Sequence, residues 1–202
     1  ISSLSELKAY GSKVLLVYGG GSIKKNGLYD TAMKILKDAG LTVFELSGVE
    51  PNPKIETVRK GVEICKNEGI DMVLAIGGGS TIDCSKVVAA GAKYDGDAWD
   101  LVLDGSKVKA ALPIFDVLTL SATGTEMDPF AVISDMSKNE KWGTGSPYMV
   151  PTMSILNPEY TFSVSKKQTA AGTADMMSHT MENYFSMENA DSVSYTHLRA
   201  HE

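Results

Sequence analysis

The stretch Asp71–Ser80, "DMVLAIGGGS", decides the fold. Five apolar residues in a row, Met72 to Ile76, carry no polar alternation, which is the pattern of a strand covered on both faces rather than one half in water. The run ends in Gly77, Gly78 and Gly79 followed by Ser80, and "TIDCSKVVAAGA" then reads as a helix. Without Cβ atoms the backbone of such a loop can come close to an anion. Ser80 adds a hydroxyl, and the unpaired N–H groups of the helix start point at the same place. A diphosphate is the natural guest; the alternative is a tight strand-to-helix turn that binds nothing. The spacing is not G-x-G-x-x-G, so the usual dinucleotide fingerprint is not matched.

Reading backwards, "KVLLVY" (13–18) is another buried strand and runs into "GGGS" (19–22). Leu28, Ala32, Ile35 and Leu36 then recur at helical spacing, with Gly40 as the stop. "LTVFEL" (41–46) is a further strand. "NPKIETVRKGVEICKNEG" (52–69) reads as a helix opened by Asn-Pro, carrying Ile55, Val58, Val62 and Cys65 on one face and closed by Gly69. Strands alternating with helices over residues 14–94 predict an α/β fold with a doubly wound parallel sheet. Beyond Tyr94 the period weakens, and "FDVLTL", "FAVIS" and "MSIL" read as further sheet elements separated by loops rich in Gly, Ser, Thr and Pro.

In a doubly wound nucleotide domain the loop after the first strand receives the adenosine end of the ligand. Here it offers Gly19, Gly20, Gly21 and Ser22, then Lys24 and Lys25, with no carboxylate for ribose hydroxyls. Small donors plus positive charge suit a 2′-phosphate and favour NADPH over NADH, although two lysines on a solvated helix start are also unremarkable.

At Ser165 the character changes again. "SKKQ" (165–168) is a capping-box pattern, and a helix is predicted from there to about Phe185. The expected organisation is an α/β nucleotide-binding domain over residues 1–160, then the first part of an all-helical domain over 161–192. Asp175 and His179 lie one turn apart on that helix, within about 6 Å. Such a pair is either half of a metal site or an ordinary surface pair.

The remaining features exclude rather than assign. A net charge of −6 gives nothing to neutralise a run of phosphates, which argues against nucleic acid. Cys65 and Cys84 stand apart with no CxxC, which fits a reducing cytoplasm. No leader is recognisable in "ISSLSELKAY", and no apolar run approaches the roughly 18 residues of a membrane span. The chain begins at Ile1 and stops soon after one helix of a second domain, so it reads as a truncated fragment of a soluble protein.

Taken together, "YGGGSIKKNG", "GVEPNP", "AIGGGSTIDCSK", "LTLSATGTEMDPFAVIS" and "GTADMMSHTMENYF" resemble, in order, the iron-containing (group III) alcohol dehydrogenases over about residues 2–190, most closely their NADPH-dependent butanol dehydrogenase or aldehyde reductase branch. The resemblance implies an N-terminal nucleotide domain, a C-terminal all-helical metal-binding domain, and an active site between them. It implies that Gly78, Gly79, Ser80 and Asp83 hold the cofactor diphosphate, and that Gly20, Gly21 and Ser22 surround its adenosine end. Thr119, Ser121, Thr123 and Thr125 match the family's threonine-rich cofactor loop, and Lys141 matches a cofactor-contacting lysine. Asp175 and His179 match the first two ligands of a divalent metal, Fe²⁺ or Zn²⁺, in the pattern D-x-x-x-H, with Glu182 just beyond.

The implied reaction is hydride transfer between NADP(H), or NAD(H), and a primary alcohol or aldehyde. No side chain stands out as a catalytic acid; Glu126 and Glu182 are read as solvated or structural. A homodimer is the assembly the resemblance suggests. The tail "VSYTHLRAHE" (193–202) departs from the family and reads as a translated sequencing adapter, so His197 and His201 are not taken as ligands. Rival readings are a dehydroquinate synthase or polyol dehydrogenase relative, whose charged substrates would call for more basic residues, and a nucleotide-binding fragment without activity.

Overall fold

The computed structural model describes residues 1–185. The chain divides into two compact units, Ile1–Tyr160 and a second that begins at Thr161. In the first, the strands β1 (Lys13–Tyr18), β2 (Thr42–Leu46), β3 (Met72–Gly77), β4 (Ile114–Leu118) and β7 (Met153–Ile155) form one all-parallel sheet in the order β2-β1-β3-β4-β7. The helices are α1 (Ser22–Lys25), α2 (Leu28–Asp38), α3 (Ile55–Glu68), α4 (Gly79–Gly91) and α5 (Ala98–Leu103).

Alternate residues of each strand feed opposite cores, because successive Cβ atoms point to opposite faces. Val14, Leu16, Met72, Leu74 and Phe115 pack with Leu28, Ala32 and Leu36 of α2 and with Leu4 and Leu7 of an N-terminal 3₁₀ segment. Leu15, Val17, Val73 and Ile114 pack with Val58 and Cys65 of α3, Val87 and Val88 of α4, and Trp99 of α5. This double burial is why β1 and β3 read as unbroken apolar runs. Helices α3 and α4 approach closely through glycine: a Cβ on Gly61 would lie 2.7 Å from Val88 Cγ2, and one on Gly91 2.6 Å from Val62 Cγ2.

Three details depart from the sequence expectation. Helix α3 starts at Ile55 rather than at Asn52. Asn52 has a φ of 55°, Lys54 is extended and bridges Ser134, and Pro53 disfavours a helical residue before it. The "FAVIS" stretch, as β5 (Phe130–Asp135), does not join the main sheet; it pairs antiparallel with β6 (Glu140–Gly145). Strand β6, "EKWGTG", has no apolar alternation that would announce it. The turn is made by Asn139, at φ 54°, and by Asp135, which accepts from Ser137 N and Oγ at 2.9 and 2.6 Å. Finally, α5 is fixed by Asp97, whose carboxylate caps Trp99 N at 2.8 Å and takes the Arg59 guanidinium at 2.8 and 3.0 Å.

The second unit contains α6 (Lys166–Tyr184). Ser165 Oγ accepts from Gln168 N at 3.2 Å, the N-terminal cap that the "SKKQ" pattern predicts. Among the described residues no helix is long and apolar enough to cross a membrane.

Candidate functional site

Strands β1 and β3 are neighbours, yet the chain leaves them toward opposite edges of the sheet. The crevice at their carboxyl ends is the switch point where doubly wound sheets take ligands. Both glycine loops open there, one after each strand. The N–H groups of Gly78's successors set up the second loop: Thr81 and Ile82 donate to Gly78 O, leaving those of Gly79 and Ser80 ahead of the first helical bond. No side chain caps α4 and no acid stands in its first turn. An anion there would meet unpaired donors and the positive end of the helix.

The structure adds a second reason for the glycines. A Cβ on Gly79 would lie 2.8 Å from Thr123 Oγ1, and one on Gly78 3.3 Å from Leu120 Cβ, while Thr119 N donates to Gly77 O at 3.0 Å. The triple glycine therefore lets the threonine loop (residues 119–129) lie against the second glycine loop. Thr119 is half-buried and Ser121 and Thr123 are exposed, so these three stand at the accessible side of the pair of loops.

Asp83 and Thr125 face inward instead. Thr125 Oγ1 donates to Asp83 Oδ1 at 2.6 Å, and Asp83 Oδ2 accepts from Val132 N at 3.0 Å. Burial lifts the Asp83 carboxyl above the ordinary aspartate range, against the pull of these two donors. Below them Lys86 is fully buried. Its ammonium meets Thr125 Oγ1 at 2.9 Å, Asp128 Oδ1 at 2.9 Å, and the carbonyls of Asp128 and Phe130, both at 2.8 Å. Asp83 and Lys86, one turn apart on α4, thus brace the threonine loop and the start of β5. Sequence reasoning missed Lys86. The available signal was a lysine inside an otherwise small and apolar helix run, a position that only a paired charge occupies.

At the first loop, Gly21 takes a left-handed φ of 103° and caps α1, and the space above Gly20 and Gly21 is open. Ser22 is exposed. Lys24 does not project freely: its Nζ sits 5.0 Å from the Tyr18 ring centroid and 4.5 Å from that of Tyr29. Glu45, from β2, accepts from Tyr18 Oη at 2.7 Å and Tyr29 Oη at 2.9 Å, and these hydroxyls hold its carboxyl below the usual range. The first glycine loop therefore has a carboxylate near it after all, supplied by the second strand. Lys141, on β6, donates to Asn52 Oδ1 at 2.7 Å, so the segment after β2 holds its ammonium.

On α6, Asp175 Oδ2 and His179 Nε2 are 3.6 Å apart and both are exposed. A carboxylate and an imidazole one turn apart suit two positions of an Fe²⁺ or Zn²⁺ site. Among the described residues no third His, Cys, Asp or Glu completes such a group. Glu182 is exposed. His197 and His201 lie outside the described residues.

Residues 2–158 match the family described as iron-containing alcohol dehydrogenase. The chain belongs to that family. Over 181 residues it is 65% identical to NADH-dependent butanol dehydrogenase A of Clostridium acetobutylicum, covering 90% of this chain and 46% of that protein. It is 39% identical over 187 residues to the NADPH-dependent aldehyde reductase YqhD of Escherichia coli, covering 91% of this chain and 48% of the relative. The crystal structure of NADH-dependent butanol dehydrogenase A from Thermotoga maritima superposes with a TM-score of 0.87 at 48% identity, over 91% of this chain and 47% of that one. The chain thus spans about half the length of the curated relatives it matches, and the parallel α/β unit is the nucleotide-binding fold of this dehydrogenase family.

Proposed function

We propose that this chain is the nucleotide-binding part of a metal-dependent alcohol dehydrogenase that moves hydride between a nicotinamide dinucleotide and a primary alcohol or aldehyde of the butanol/butanal kind. The observation that carries it is the convergence of three loops, Gly19–Ser22, Gly77–Ser80 and residues 119–125, at the carboxyl edge of the sheet. Gly78, Gly79 and Ser80 hold the diphosphate through backbone N–H groups and a hydroxyl. Gly20, Gly21 and Ser22 receive the adenosine, and Thr119, Ser121 and Thr123 border the path toward the nicotinamide. Asp83 and Thr125 keep that loop in place from beneath, and Lys141 closes the cofactor edge through its bond to Asn52.

Between the two nucleotides we favour NADH. Small donors, two lysines and no nearby carboxylate would suit a 2′-phosphate, but one of the lysines, Lys24, is engaged by Tyr18 and Tyr29, and the Glu45 carboxylate stands beside them. The names of the two butanol dehydrogenases above point the same way, and that of the aldehyde reductase points the other.

Asp175 and His179 would provide two ligands for Fe²⁺ or Zn²⁺, which when bound supplies Lewis-acid polarisation of the substrate oxygen. Nucleotide binding is the part of that activity for which these residues account. Quenching of NADH and NADPH fluorescence on titration with the chain tests the reading. Tighter binding of NADH is the expected result; no quenching of either overturns the cofactor site, and tighter NADPH overturns the choice between them.

A further inference from the structure

Beneath the threonine loop runs a hydrogen-bond chain made of residues to which the cofactor reading gives no role. Asp116 stands mid-strand in β4, fully buried, on the sheet face it shares with Ile114 and Leu118 under α4. Its Oδ2 lies 2.6 Å from Ser154 Oγ of β7, and its Oδ1 has no hydrogen-bond partner among the described residues. Ser154 Oγ is also 2.9 Å from the carbonyl oxygen of Glu126 in the threonine loop.

A serine hydroxyl has one proton to give. With Asp116 ionised, Ser154 faces two acceptors and serves one, and a buried carboxylate is left with a single donor at best, an expensive state. With Asp116 protonated both contacts close. The acid donates to Ser154 Oγ, Ser154 donates to Glu126 O, and the orphaned Oδ1 is then only a neutral carbonyl oxygen.

The surroundings favour the same state. Two charged groups face Asp116 among the described residues: Lys86 from α4, whose ammonium is already shared with Asp128, and the Glu126 carboxylate from the loop. In register β3 presents Ala75 and β7 presents Ser154, neither charged. Burial first, then Glu126, lift the Asp116 carboxyl to about 6, against Ser154 and Lys86.

We propose that Asp116 is a positioning residue for the cofactor-holding threonine loop and that it acts as the neutral acid: its proton frees Ser154 to clamp the Glu126 carbonyl, and loss of that proton turns Ser154 back and releases the loop. The loop's link to the cofactor rests on the function proposed above; the clamp itself does not. Nucleotide affinity and loop protection therefore fall together as pH rises through about 6.

The test compares the wild-type chain with Asp116→Asn and Ser154→Ala. Amide hydrogen exchange across residues 120–127, corrected for intrinsic rates, reads the clamp, and calorimetric titration with NAD⁺ reads the cofactor. One hydrogen bond corresponds to a change of about three- to tenfold. In the wild type both readouts are expected to weaken by that factor across the transition. Asp116→Asn, whose amide donates to Ser154 at every pH, should keep the low-pH values throughout, and Ser154→Ala should show the high-pH values throughout. In the wild type the infrared band of a protonated carboxyl, identified by its loss in Asp116→Asn, should titrate in step. The proposal is overturned if wild type and Asp116→Asn share one pH profile, or if the band is absent at pH below the transition. Exchange that switches with pH while NAD⁺ fails to bind at any pH overturns the cofactor reading and the positioning role, and leaves the clamp standing as a separate fact.

Discussion

Replacing Lys86 by methionine tests whether the brace under the threonine loop is held by charge. Methionine keeps the length and slenderness of the stem, so packing changes little. What disappears is an ammonium that serves four acceptors within 2.9 Å. Breaking a buried ion pair from one side costs about 3–5 kcal/mol, most of it from the partner left uncompensated. The Asp128 side chain retains 31% exposure and Thr125 keeps its bond to Asp83, so solvent and a neighbour relieve part of the loss. The expected cost is thus near the lower bound, about 3 kcal/mol. Urea unfolding of the chain at constant m-value measures it. Adding Asp128→Asn to Lys86→Met should recover about 1 kcal/mol or more, as coupling within one network requires. A loss below about 1 kcal/mol for Lys86→Met would show that the ammonium is not anchored as described.

Gly61→Ala places a methyl 2.7 Å from Val88 and 2.9 Å from Leu46, and should lower stability by about 1–3 kcal/mol in the same denaturation assay. Gly79→Ala pushes against Thr123 at 2.8 Å in an accessible loop; it should leave the unfolding midpoint nearly unchanged while weakening nucleotide binding about tenfold or more in a fluorescence titration. Asp71 accepts from Ser12 N at 2.7 Å and Lys13 N at 2.9 Å, and these bonds hold its carboxyl below the ordinary value of 3.8. A depressed folded-state value means stability that is present above 3.8 and lost as pH falls through the lower value. Asp71→Asn should therefore flatten the acid limb of the melting-temperature profile, with the difference from wild type shrinking toward low pH.

Strands β1 and β3 and their glycine loops were legible because double burial writes a strand as an apolar run and glycine marks its end. The Ser165 cap was legible because its partner lies three residues away. What was hidden depends on partners far along the chain. Nothing local in "EKWGTG" announces β6, which exists because β5 pairs with it. The family resemblance implies a cofactor motif around Asp83 and Thr125, but only the fold shows them bonded to each other. Lys24 reads as a free cation until Tyr18, Tyr29 and Glu45 are brought around it from two strands and a helix. At Glu126 the local pattern draws attention to the carboxylate, whereas the group that the fold engages is the backbone carbonyl, which accepts from Ser154.

Strand β7 has three half-buried residues, pairs among the described residues with β4 alone, and is reached after an excursion of about 34 residues from Thr119 to Thr152. Closing a loop of that length costs about 3 kcal/mol of chain entropy by the logarithmic rule, and a three-residue ladder returns little against it. Such a strand is expected to open before the centre of the sheet, with the amides of Met153–Ile155 exchanging faster than those of β3. Ser154 travels with it. On the clamp proposed above, detachment of this one edge strand carries Ser154 away from the Glu126 carbonyl while the Lys86 brace stays in place, so the breathing of the strand and the exchange of the loop amides should rise together.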